Sequence, residues 1–93
     1  MGQYKIEYTS TALDDLSKHK KVGNKTTMNK IQRFIEELKV HPETGTGKVE
    51  QLTGNLTGFW SRRINSKDRL VYKIEKHIVT VVIISAIGHY GDK

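Results

Sequence analysis

Residues 45–72 read GTGKVEQLTGNLTGFWSRRINSKDRLVY, and the rest of the chain is organised around them. Glycines punctuate the first half and mark turns where φ must turn positive. The second half predicts two short strands, Phe59 to Ile64 and Arg69 to Ile74, joined by a polar turn from Asn65 to Asp68. In the first strand Trp60, Arg62 and Ile64 share one face, and Phe59, Ser61 and Arg63 the other. In the second, Leu70, Tyr72 and Ile74 form the core face, with Arg69, Val71 and Lys73 opposite. A simple hairpin brings Arg63 and Arg69 together on one surface. Like charges so placed cost energy unless an anion or Glu50 sits between them. One acid, Glu50, thus stands among Lys48, Arg62, Arg63 and Arg69. A carboxylate in a cationic setting is what an RNA-cleaving site needs; it is also what an ordinary surface ion-pair cluster looks like.

Upstream, Tyr4, Ile6 and Tyr8 alternate with polar residues over Gln3 to Thr9, the period of a strand with one buried face. A helix follows, capped by Ser10 or Thr11, with Asp14 and Asp15 in its first turn and Leu13 and Leu16 as its apolar stripe. Lys18-His19-Lys20-Lys21 closes it as a solvated basic end, and Gly23 ends it. A second helix, capped near Thr26 or Thr27, carries the core stripe Met28, Ile31, Phe34, Ile35 and Leu38, while Lys30, Arg33, Glu36, Glu37 and Lys39 form a mixed exposed face. His41-Pro42 stops it, and the short link predicts an antiparallel helical hairpin. The Gly-x-Gly-Lys of 45–48 is not a phosphate-binding loop, because Pro42 and Val49 stand where that motif requires Gly and Ser or Thr. Glu75 to His77 reads as a turn, and Ile78 to Ile87 as a strand rich in β-branched residues.

With 93 residues the chain reads as one domain, 1–93, of α+β class: an N-terminal strand and a helical hairpin packed on a mostly antiparallel sheet. Sixteen Lys and Arg against ten Asp and Glu give a net charge of +6, which favours polyanions and above all nucleic acid. The absence of cysteine excludes disulfides and thiolate metal sites. The four histidines lack the spacing of a helical zinc site, so no metal or other cofactor is implied. No apolar run reaches membrane-spanning length, no membrane association is expected, and the chain reads as cytoplasmic.

Four segments resemble one family. They are the Gly-Lys-x-Glu-x-Leu of 47–52, the Asn-Leu-x-Gly-Phe-Trp-Ser-Arg-Arg-Ile of 55–64, the Arg-Leu-Val-Tyr of 69–72 and the pair His89-Tyr90. They resemble the YoeB (Txe) toxins of the RelE superfamily of ribosome-dependent mRNA interferases, whose β-α-α-β-β-β order the chain also follows. The resemblance implies a microbial-RNase-like fold, a metal-independent endoribonuclease acting on mRNA in the ribosomal A site, an acidic YefM-like antitoxin and a homodimer. Carried over by position, it makes Glu50 the general base, Arg69 the cation at the transition state, His89 the general acid and Tyr90 its aromatic neighbour. Lys48, Arg62 and Arg63 become RNA-binding, with Arg63 reaching phosphate. The chain departs from the pattern at Thr53, where relatives often carry lysine, and at Ile87-Gly88, where they carry an arginine-aromatic pair. A non-catalytic basic module that binds RNA or an acidic protein is the rival reading, and it requires only a positive face.

Overall fold

The computed structural model describes residues 3–88. Its elements run β1 (Lys5–Tyr8), α1 (Ser10–Val22), α2 (Lys25–Val40), β2 (Glu50–Gln51), β3 (Phe59–Arg63), β4 (Arg69–Glu75) and β5 (Thr80–Ser85), with single 3₁₀ turns at Gly54–Leu56 and Lys76–Ile78. The five strands form one sheet in the order β1-β5-β4-β3-β2. β1 runs parallel to β5 and every other pair is antiparallel. This is the expected α+β architecture, with one strand more than the pattern showed. β2 is only two residues long, too short to carry a period of its own.

One face of the sheet is the core. Ile64, Leu70, Tyr72, Val81 and Ile83 meet Ala12, Ile31, Phe34 and Leu38 from the helices, and Tyr4, Ile6, Leu16, Ile35, Trp60 and Ile74 pack around them. The alternation read from the sequence therefore holds along β3 and β4, and Trp60 packs against the core. Three details differ. The N-cap of α1 is Thr9, whose hydroxyl accepts from the Ala12 N–H, and that of α2 is Asn24, whose side chain accepts from the Thr27 N–H. Starting α1 one residue earlier removes Asp14 and Asp15 from its first turn. Leu13 faces solvent, and the buried positions of α1 are Ala12, Asp15 and His19. The last strand is shorter than Ile78 to Ile87 because Val79 adopts a left-handed φ of 49° as the chain leaves the 3₁₀ turn.

Candidate functional site

Strand register sets the site. Glu50 pairs with Ser61, Ser61 with Val71, and Arg63 with Arg69, so all of these side chains leave the sheet on the face away from the helices. Lys48, Val49, Glu50, Arg63 and Arg69 line a cleft of about 280 Å³ there. An Arg69 guanidinium nitrogen donates to the Glu50 carboxylate at 3.3 Å and to the Ser61 hydroxyl at 3.4 Å. Glu50 remains well exposed while Arg69 is mostly covered, so the arginine is the fixed partner and the carboxylate the solvated one. Arg63 Nε is buried and has no hydrogen-bond partner among the described residues. An unpaired arginine donor in a cationic cleft calls for an anion.

Arg62 does not belong to this cleft, and its assignment as an RNA contact is corrected. It points to the helix side, fully buried. All five of its N–H groups are used. Nε donates to the Tyr72 hydroxyl, one terminal nitrogen to Glu37 and the Thr46 carbonyl, and the other to the His41 and Thr44 carbonyls. Its guanidinium also lies 5.9 Å from the Phe34 ring centre and 5.8 Å from that of Tyr72. No donor is left for a phosphate.

Glu37, placed by its helical position on the exposed face, is instead the counter-ion. Its carboxylate takes the Thr46 N–H at 3.0 Å and the Thr46 hydroxyl at 2.9 Å in addition to Arg62. Burial alone would raise its pKa, but the two bonds from Thr46 and the charge of Arg62 outweigh that and hold it below the ordinary carboxylate value. Tyr72 has the opposite balance: burial pushes its phenol up despite Arg62 beside it. Its hydroxyl donates to the Pro42 carbonyl at 2.7 Å.

This network explains the Gly-x-Gly of the loop. Gly45 and Gly47 have φ of 124° and 90°; a Cβ at Gly45 would lie 2.5 Å from the Glu37 carboxylate, and one at Gly47 would lie 2.5 Å from the Phe34 ring. The loop closes over Arg62 at these two points and then delivers Lys48 and Glu50 to the opposite face. Arg63 fastens it by donating its backbone N–H to the Gly47 carbonyl. The missed signal was in the alternation itself: a charged residue in register with Trp60 and Ile64 needs a buried partner.

Lys18 and Lys20 are exposed, as expected of a helix end, but His19 between them is buried with Nε2 2.8 Å from the Ala86 carbonyl. His89 and Tyr90 lie outside the described residues. The last residue described, Gly88, accepts from the Arg69 backbone N–H at 3.1 Å.

A sheet covered by a helical hairpin on one face, with an acid and three cations in a cleft on the other, defines a small basic α+β protein built to meet an anion. Comparison with known proteins makes the class specific. The family model described as YoeB-like toxin of bacterial type II toxin-antitoxin system matches residues 8–90. Toxin YoeB of Streptomyces coelicolor is 38% identical over 86 residues, covering 92% of this chain and 99% of that one. Among solved structures, a YoeB/ParE toxin from Agrobacterium tumefaciens superposes with a TM-score of 0.85 at 31% identity, covering 92% of this chain and 99% of the other. Staphylococcus aureus YoeB, 33% identical, superposes with TM-scores of 0.77 in a heterotetrameric complex with YefM and 0.78 as a dimer, covering 94% of this chain and 98% of that one in each. The chain belongs to the YoeB-like toxins of type II toxin-antitoxin systems.

Proposed function

We propose that this toxin is an endoribonuclease that cleaves mRNA in the ribosomal A site without a metal ion. A nuclease role in general goes with the family, and the single observation that carries the finer reading is the Glu50–Arg69 contact inside a cleft otherwise lined by Lys48 and Arg63. Glu50 takes the proton of the ribose 2′-hydroxyl as its oxygen attacks the adjacent phosphorus. Arg69 donates its planar fork to the equatorial oxygens as their charge grows. The bond from phosphorus to the 5′-oxygen breaks, and His89 supplies that oxygen's proton. The products are a 2′,3′-cyclic phosphate and a free 5′-hydroxyl, so every proton is accounted for. Lys48 and Arg63 hold the flanking phosphates, and Tyr90 stacks on an unpaired base.

The toxin's partners follow from the same reading: a YefM-like acidic antitoxin that neutralises the cationic cleft, and a second copy of the chain in a homodimer. The site of action is the cytoplasm; no helix among the described residues is long and apolar enough to cross a membrane. Mapping mRNA ends after adding the protein to a translating extract tests the proposal. Cuts confined to codons in the A site, leaving 5′-hydroxyl ends, are expected. Intact mRNA bound by the protein would establish the non-catalytic module instead.

A further inference from the structure

Beyond the end of β5 a chain ordinarily frays, because its backbone groups lose their ladder partners. Here two of the three residues after Ser85, Ala86 and Gly88, are held by further hydrogen bonds. The Ala86 N–H donates to the Asp15 carboxylate at 2.8 Å. The Ala86 carbonyl lies 2.8 Å from His19 Nε2, and since a carbonyl only accepts, that nitrogen carries the proton. The Gly88 N–H donates to the Asp68 carboxylate at 2.9 Å, and its carbonyl accepts from the Arg69 N–H at 3.1 Å. All four backbone polar groups of Ala86 and Gly88 are thus taken, three of them by charged or titratable side chains. Asp15 and His19 are both more than nine-tenths buried, one helical turn apart on α1, with Ala86 fully buried against them. Neither takes part in the cleft.

A buried carboxylate and imidazole spent on one peptide unit need a reason, since an apolar contact would seal the core at lower desolvation cost. The reason lies in what comes next along the chain. Asp68 and Arg69 are consecutive, and the guanidinium of Arg69 is the group that meets Glu50. Tying Gly88 to both fixes the end of the described backbone beside Arg69, which lines the cleft.

We propose that Asp15, His19 and Asp68 are positioning residues that anchor the 86–88 backbone and so deliver His89 to the scissile phosphate. The inference rests on the reading of His89 as the general acid. Misplacement of a catalytic group by about 1 Å can cost about 10²-fold in rate, whereas substrate affinity should change little because none of the three lines the cleft of Glu50 and Arg69. Asp15→Ala and Asp68→Ala should each slow single-turnover cleavage by about 10- to 100-fold with little change in RNA affinity. Asp15→Asn, which keeps an acceptor oxygen for the Ala86 N–H, should restore most of the rate.

The deciding experiment is a double-mutant cycle with His89→Gln in the full chain, assayed on programmed ribosomes. If the aspartates act through His89, adding Asp15→Ala or Asp68→Ala to His89→Gln should cost no more than about twofold further, because the group they place is already gone. An equal loss in both backgrounds, or no loss in the wild-type background, overturns the positioning role alone. Should His89→Gln itself cleave at the wild-type rate, the general-acid reading fails and the inference falls with it. Asp68 sits on a half-buried turn, so Asp68→Ala carries the test if Asp15→Ala does not fold.

Discussion

Arg63 and Arg69 stand directly opposite each other in the β3–β4 ladder, two guanidinium side chains on one face of the sheet. Only Arg69 has a carboxylate partner there, Glu50, and Arg63 keeps a buried Nε with none among the described residues. The protein therefore holds a like-charge pair on this face, of the kind a bound anion would relieve.

Arg63→Gln should leave the free protein as stable as the wild type or more so, by up to about 1 kcal/mol, since opposed like charges in a ladder are destabilising by that order. The same change should weaken RNA binding. Thermal melts set beside RNA titrations check both signs; a large loss of stability would place Arg63 in the scaffold.

Salt should separate the cationic residues. Lys48→Gln and Arg63→Gln should each reduce the slope of log affinity against log salt by roughly 0.7 for RNA. Arg62 should contribute nothing to that slope, because its guanidinium is enclosed. Its replacement by Met should instead cost about 3–5 kcal/mol of stability by stranding Glu37, measured by denaturant unfolding.

Glu37 should give the fold an acid-sensitive component. Its folded pKa lies below the ordinary value of a free glutamate. Its contribution is thus complete above that value and fades as pH falls through the lower, folded pKa. Melting temperatures taken from pH 6 downward should drop less steeply in Glu37→Gln than in the wild type, from a lower starting stability. Parallel curves would mean that Glu37 carries no linked proton.

Glu50→Gln should slow cleavage by about 10²–10⁴-fold, the usual worth of a positioned base, while ribosome binding changes by less than about tenfold. A substrate with 2′-O-methyl at the cut site should bind and survive with either protein. Cleavage of the methylated substrate would exclude the 2′-oxygen as nucleophile.

Gly47→Ala should destabilise by about 1–3 kcal/mol, as overpacking does, because its Cβ would meet the Phe34 ring at a positive φ. Denaturant midpoints measure the loss.

The parts of the molecule legible in the sequence were those set by strict periodicity. Alternation in β3 and β4 placed Trp60, Tyr72 and Leu70 inside and brought Arg63 to Arg69, because a one-residue slip would turn the whole apolar set outward. The α1 cap was not legible: Thr9, Ser10 and Thr11 can all cap, and the choice falls to Thr9 because its N–H and hydroxyl also meet the carbonyls of Ile83 and Ile84. Glu37 was misplaced for a similar reason. Its helical position is that of a surface residue, and only the loop folding back over α2 encloses it. The family resemblance makes both Arg62 and Arg63 RNA-binding, although the alternation of the strand already sends them to opposite faces. The basic run at 18–21 hid His19, whose partner Ala86 lies 67 residues away.

The parallel pairing of β1 with β5 governs the order in which the molecule can be made. β5 lies between β1 and β4, so the first strand has no sheet to join until the last one is present. A nascent chain that has not yet released β5 lacks the link between its two halves, and also the Ala86 and Gly88 contacts beside Arg69. Such non-local closure comes late in folding. The strands that carry the cleft therefore gain their link to β1 only once β5 has paired, and removing β5 would leave β4 as an open edge of the sheet.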